Sequence, residues 1–161
     1  MTDNFDQLLT FVLGSESNGV ALNSVQEIRH YEAPTKLVSV PAALLGVIHL
    51  RDVKVPVLDL RAHFGMGTSP VTSASVIIVF LVDGRNVGIL VDAVSDVVDV
   101  GPEQQRSVPE MVKLVDTLSL QCIAATELGM VLMLNHRRLI QKSCILSAQS
   151  DCAEPLQLEA A

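Results

Sequence analysis

Apolar residues along the chain fall in short runs separated by polar turns, the spacing of strands rather than of amphipathic helices. The longest run, Val76-Ile-Ile-Val-Phe-Leu-Val82, is apolar throughout, as expected of a strand covered on both faces. Gly14-Ser-Glu-Ser-Asn-Gly19 and Asp83-Gly-Arg-Asn86 carry turn-forming residues between apolar segments, which predicts two antiparallel hairpins. Between Gly46 and Leu60, the residues Val47, Ile48, Leu50, Val53, Val55, Val57, Leu58 and Leu60 frame two more strands with Arg51 at their tip, and Pro56 marks an edge or a bulge. Val91, Val94, Val97 and Val98 also lie at helical spacing, but their β-branching favours a strand that Gly101-Pro102 ends. Pro102–Lys113 is expected to hold a short helix, with Glu103 close to its positive N-terminus.

Sliding the chain against itself by 69 residues aligns Phe11-Val-Leu13 with Phe80-Leu-Val82, and Gly19 through Ile28 with Gly88 through Val97, without a gap. Ser39-Val-Pro41 matches Ser107-Val-Pro109 one residue out of register, and the two copies close on Leu-Asp-Leu60 and Leu-Asn-His136. The period is longer than that of solenoid repeats, so it indicates a tandem duplication of a subdomain. Strands that are apolar almost throughout are best satisfied by closing four or five of them into a barrel, which hides both faces and pairs the edges. The expected fold is therefore mainly β, with two small barrels. A first subdomain spans about 8–66 and a second about 74–141 of a domain covering 8–141. Phe64-Gly-Met-Gly-Thr-Ser-Pro70 is the link between them, 142–161 is a tail, and exchange of strands between the barrels is left open.

Composition narrows the function. Among 161 residues, valine fills 23 positions and aromatics are 3%, so the core must rest on branched aliphatic side chains. A hydrophobic share of 49% and a mean hydropathy of +0.42 exceed what one modest core hides, which points to a surface that other polypeptides cover. A net charge of −7 opposes nucleic-acid binding and attraction to an anionic membrane. The longest apolar run falls far short of the roughly 20 residues that cross a bilayer, and the acidic start Met1–Asp6 is unlike a secretory signal. No direct membrane insertion and a cytoplasmic location are expected.

Candidate chemistry is sparse. Cys122, Cys144 and Cys152 lack paired metal-ligand spacing, and His30, His49, His63 and His136 are scattered away from any nucleophile motif. Asp92, Asp96 and Asp99 read as a solvated acidic face rather than a cation site, and Gly65-Met-Gly67 lacks the residues of a phosphate loop. No catalytic residue, metal or cofactor is expected. Arg51, beside apolar strand ends, suits a carboxylate; paired with Glu27 it would shape a groove for an amphipathic helix. A small β-barrel that binds a ligand or nucleic acid is the alternative, which charge and scarce aromatics disfavour.

Val25-Gln-Glu-Ile28, Pro41, Gly46-Val-Ile-His-Leu-Arg51, Pro56-Val-Leu-Asp-Leu60 and Gly88-Ile-Leu-Val-Asp92, in this order and spacing, resemble the CheW family of bacterial chemotaxis adaptors. The resemblance runs from about Phe11 to Leu139. It implies two five-stranded, SH3-like barrels packed together in a noncatalytic scaffold. Its partners would be the cytoplasmic tip of chemoreceptors, the methyl-accepting chemotaxis proteins, and the regulatory domain of the histidine kinase CheA. Such a protein works at receptor arrays under the inner membrane. Receptor contact and groove integrity map onto Val25, Glu27, Gly46, Arg51 and Gly88. The chain departs from the family in one place, where Asp52 follows the arginine instead of the usual glycine, which leaves open the receptor or kinase pathway it serves.

Overall fold

A computed structural model describes residues 7–36, 43–67, 70–106, 120–127 and 129–142. The first hairpin is β1 (Gln7–Leu13) and β2 (Glu16–Ala21), followed by β3 (Val25–His30). The second hairpin is β4 (Leu44–Leu50) and β5 (Val53–Asp59), capped by the one-turn helix α1 (Leu60–His63). The later half repeats the plan with β6 (Val76–Val82), β7 (Arg85–Val91), β8 (Ala93–Asp99), the short β9 (Gln105–Arg106), β10 (Leu120–Thr126), β11 (Gly129–Leu134) and α2 (His136–Lys142). The predicted hairpins form with tighter turns than the polar runs suggest. Glu16, Ser17 and Asn18 already pair with Leu13, Val12 and Phe11, so Gly14 and Ser15 alone make the first turn. Asp83 and Gly84 make the other, both at positive φ (52° and 78°), as a type I′ turn requires.

The sheets do not follow the order of the chain. One sheet is ordered β8-β1-β2-β11-β10-β9 and the other β3-β6-β7-β5-β4, so each half lends its first hairpin to the strands of the other. The 69-residue offset carries one set of pairings onto the other. Phe11 opposes Val94 and Thr10 opposes Asp96 across a bulge in β8; Phe80 opposes Val25 and Val79 opposes Glu27 across the matching bulge in β3. The parallel pairings correspond too, with Gly19 beside Met133 and Gly88 beside Val57. Each sheet is drawn into a ring by the chain that follows its third strand. Thr35 and Val47 exchange two backbone hydrogen bonds of 2.8 Å, tying the continuation of β3 to β4. In the six-stranded sheet β9, which follows β8, pairs with β10.

This exchange explains why the strands are apolar on both faces. Ile77 and Val79 of β6 point into the five-stranded barrel with Ile48, Leu50, Val55, Val57 and Leu90. Ile78, Phe80 and Val82 point the other way, into a larger core between the barrels that also holds Leu9, Phe11, Leu13 and Val20. A third, smaller cluster of Leu8, Ala21, Val100, Ala124, Val131 and Met133 fills the six-stranded barrel. Burial of both faces of a strand, at about 1.5–3 kcal/mol per large aliphatic side chain, is what offsets the ordering of these segments.

Two expectations need correction. Of the helix expected over Pro102–Lys113, the described part is a single 3₁₀ turn, Pro102–Gln104, followed by β9, and 107–113 lies outside the described residues; Pro102 starts the turn, and Gln104 directs its side chain to the Ala125 carbonyl (3.0 Å) instead of continuing it. The segments read as strand ends at Leu60 and His136 are helix starts. Asp59 and Asn135 cap them, accepting backbone hydrogen bonds from Ala62 (3.4 Å) and Arg138 (3.0 Å). Ser39–Pro41, Ser107–Pro109, Thr68-Ser69 of the link, Cys144, Cys152 and the tail beyond Lys142 lie outside the described residues. Among the described residues, no helix is long and apolar enough to cross a membrane.

Candidate functional site

The residues singled out above, Val25, Glu27, Gly46, Arg51 and Gly88, all lie on the five-stranded barrel. Alternation along β3 half-buries Val25, Glu27 and Arg29 and exposes Gln26, Ile28 and His30. The β4–β5 hairpin closes on Arg51 and Asp52, with φ of 49° and 69°. Two left-handed residues form the type I′ turn that matches the twist of paired strands, yet neither is glycine, at a cost of about 1 kcal/mol for each residue so placed. The turn lifts Arg51 to 70% side-chain exposure, while its guanidinium reaches back to β3.

There the expected pairing occurs. Arg51 Nη2 donates to Glu27 Oε1 at 2.8 Å. Arg29 Nη1 donates to the other oxygen, Oε2, at 3.1 Å, and Arg29 Nη2 donates to Glu32 Oε1 at 3.3 Å. The hydrogen bond from Arg51 first, and that from Arg29 second, hold the Glu27 carboxyl below its ordinary value, while partial burial opposes them. Exposed apolar side chains flank these residues in the chain, Ile28 on the opposite face of β3 from Glu27 and Val53 just past the turn, at 43% and 45% exposure. The arrangement presents an exposed cation of the kind that pairs with a carboxylate.

The other three residues do not meet Glu27 and Arg51 side chain to side chain. Val25 packs against the core between the barrels. Gly46 sits at a bulge in β4 with φ 151°, where a Cβ would fall on the carbonyl of Thr35, 2.7 Å from its carbon. The bridge that closes the barrel therefore needs glycine here. Gly88, in β7, faces Ile77, whose Cγ2 would lie 2.8 Å from an added Cβ, so a side chain would displace Ile77 from its packing inside the barrel. Both glycines hold the frame on which the ionic face is mounted.

Sequence reasoning missed a second ionic feature. Asp92 does not belong to an acidic face with Asp96 and Asp99, because the segment is a strand, and Asp92 lies at the crossing from β7 to β8. Arg61 of α1 donates Nη2 to Asp92 Oδ2 at 2.6 Å and Nε to Oδ1 at 3.0 Å, and the Gly14 amide donates to Oδ2 at 2.8 Å. Burial pushes the Asp92 carboxyl up, but the Arg61 and Gly14 hydrogen bonds outweigh it and leave the group below its ordinary value. This clasp joins a helix of one barrel to a turn of the other. Its counterpart is the contact of Arg137 in α2 with Asp83 in the β6–β7 turn, at 2.7 Å. The signal was present in the chain: each Leu-Asx element is followed by an arginine two residues after the Asx, Arg61 and Arg137. Among the described residues, no group of three or more His, Cys, Asp or Glu side chains is placed to hold a metal ion.

Two interlocked barrels with an exposed ionic face fit a protein-binding scaffold. The model of the CheW-like domain matches residues 7–144. The chain is 36% identical over 134 residues to the chemotaxis protein CheW of Klebsiella aerogenes, covering 83% of this chain and 81% of that one. It is 41% identical over 105 residues to a probable chemotaxis protein CheW of Rhizobium etli, covering 65% and 68%. The crystal structure of the scaffolding protein TtCheW from Thermoanaerobacter tengcongensis superposes with a TM-score of 0.77 and 29% identity over 84% of this chain and 92% of that one. The chain belongs to the CheW-like domain family. It is a chemotaxis coupling adaptor, and the reading as an independent ligand- or nucleic-acid-binding barrel is not favoured.

Proposed function

We propose that this adaptor joins the cytoplasmic tip of a chemoreceptor to the regulatory domain of the histidine kinase CheA, catalysing nothing itself, in the cytoplasm at arrays beneath the inner membrane. The observation that carries the reading is the 36% identity shared with a chemotaxis protein across 81% of that protein's length. The receptor side is the Glu27–Arg51 face of the five-stranded barrel. In support, Arg51 is exposed enough to meet a partner's carboxylate, and Gly46 and Gly88 keep the frame beneath it undistorted. Contact through an exposed guanidinium is screened by salt, so receptor capture should fall as ionic strength rises.

Copurification with a receptor fragment and the kinase regulatory domain tests the reading. A ternary complex is expected, and it should separate with salt at the receptor contact. Recovery of neither partner at low salt would overturn the proposal.

A further inference from the structure

Glu27 is held by two arginines on separate oxygens, Arg51 on Oε1 and Arg29 on Oε2. The two cations differ in freedom. Arg51 stands on a turn with 70% of its side chain exposed, while Arg29 projects from β3 with 34% exposed and is tied at its far end to Glu32. Arg29 Nε is buried and without a hydrogen-bond partner, so its two terminal nitrogens carry its polar contacts, one on Glu27 and one on Glu32. Two guanidiniums on one carboxylate repel each other and share its attraction, so Glu27 grips Arg51 less firmly than it would alone. When Arg51 leaves, Glu27 still keeps a charge-assisted hydrogen bond and is not stranded without a counterion.

We propose that Arg29 is a positioning residue that keeps Glu27 neutralised while Arg51 turns outward to a carboxylate on the partner. Arg29 sets how readily the docking arginine is released, and it touches no partner itself. The partner chemistry rests on the function proposed above; the release of Arg51 from Glu27 does not.

Two measurements separate these. The first needs no partner: nitrogen-detected NMR of the Arg51 guanidinium in the free protein, with and without Arg29→Gln. With Arg29 removed, Glu27 has one cation to hold, and rotation of the Arg51 guanidinium should slow. Unchanged or faster rotation would overturn the inference, because loss of a merely structural arginine loosens the site rather than tightening it. The second is capture of a receptor-tip fragment. Arg29→Gln should weaken it about two- to fivefold, the scale of an exposed ion pair. Arg29→Lys should restore most of the loss, and adding Glu27→Gln to Arg29→Gln should recover capture by freeing Arg51. Loss of capture on Arg51→Glu with no change on Arg29→Gln would sink this inference and leave the receptor reading standing. Capture indifferent to Arg51→Glu would sink the receptor reading, with the NMR result still deciding the role of Arg29.

Discussion

Where the five-stranded barrel sets Glu27 against Arg51, the six-stranded barrel places Asp96 and Glu127 at the corresponding positions, two like charges in place of an ion pair. Asp96 accordingly turns to backbone, its Oδ1 accepting from Val97 N at 2.8 Å while its own amide and carbonyl bond Thr10. Beneath the surface the barrels agree closely. Phe11 and Phe80 occupy matched sites in the shared core, both bulges coincide, and the capping residues Asp59 and Asn135 do the same work. The difference teaches that buried positions maintain the duplicated fold, while the outward faces have diverged, one barrel carrying an exposed ion pair where the other carries two acidic residues.

Breaking the shared core should give the largest effects. Phe11→Ala and Phe80→Ala should each cost about 3–5 kcal/mol in urea unfolding, because each empties a fully packed site. Their costs should agree to within about 1 kcal/mol if the positions are equivalent, and a wide gap would show that one barrel dominates the core. Gly46→Ala comes next, at about 3 kcal/mol, since it combines an unfavourable φ with a collision against the Thr35 backbone. It should open the five-stranded barrel, seen as faster amide exchange at Val47, and leave the β9–β10 pairing of the other barrel protected.

A smaller effect follows from acid. Asp92 is depressed below its ordinary 3.8 and Glu27 below 4.5, so the stability each contributes is complete above those values and is lost as pH falls through the lower folded-state values. Asp92→Asn should therefore flatten the acid limb of a stability-against-pH curve, with wild type and variant converging at the lowest pH. A variant curve parallel to wild type would mean that the clasp does not titrate with folding. Smallest is Asp52→Gly, which relieves one left-handed residue in the β4–β5 turn and should stabilise by about 0.5–1 kcal/mol.

Much of this was legible in the chain. The 69-residue offset that aligns Phe11 with Phe80 and Gly19 with Gly88 is the same offset that relates the ladders of β1 to those of β6, because strand register follows side-chain alternation and duplicated strands inherit it, while the later β4–β5 and β10–β11 ladders have drifted to a longer offset. The Glu27–Arg51 pair was legible from charge and from the hairpin frame around Arg51. The exchange of hairpins was not, since a repeat fixes what resembles what and says nothing about which copy pairs with which. The helices α1 and α2 were hidden for a different reason: each begins directly on the last residues of an apolar strand, and only Asp59 or Asn135, a cap also common in turns, separates the two. Asp92 was misplaced because Asp92, Asp96 and Asp99 also fit helical spacing, whereas the strand isolates Asp92 at a crossing between barrels.

Receptor-tip capture by Arg51→Glu and by its counterpart Glu127→Arg, side by side, bears most directly on the asymmetry of the two barrels. Capture should collapse for Arg51→Glu and stay near wild type for Glu127→Arg. Equal loss in both, or loss in the second alone, would contradict the assignment of docking to the five-stranded barrel.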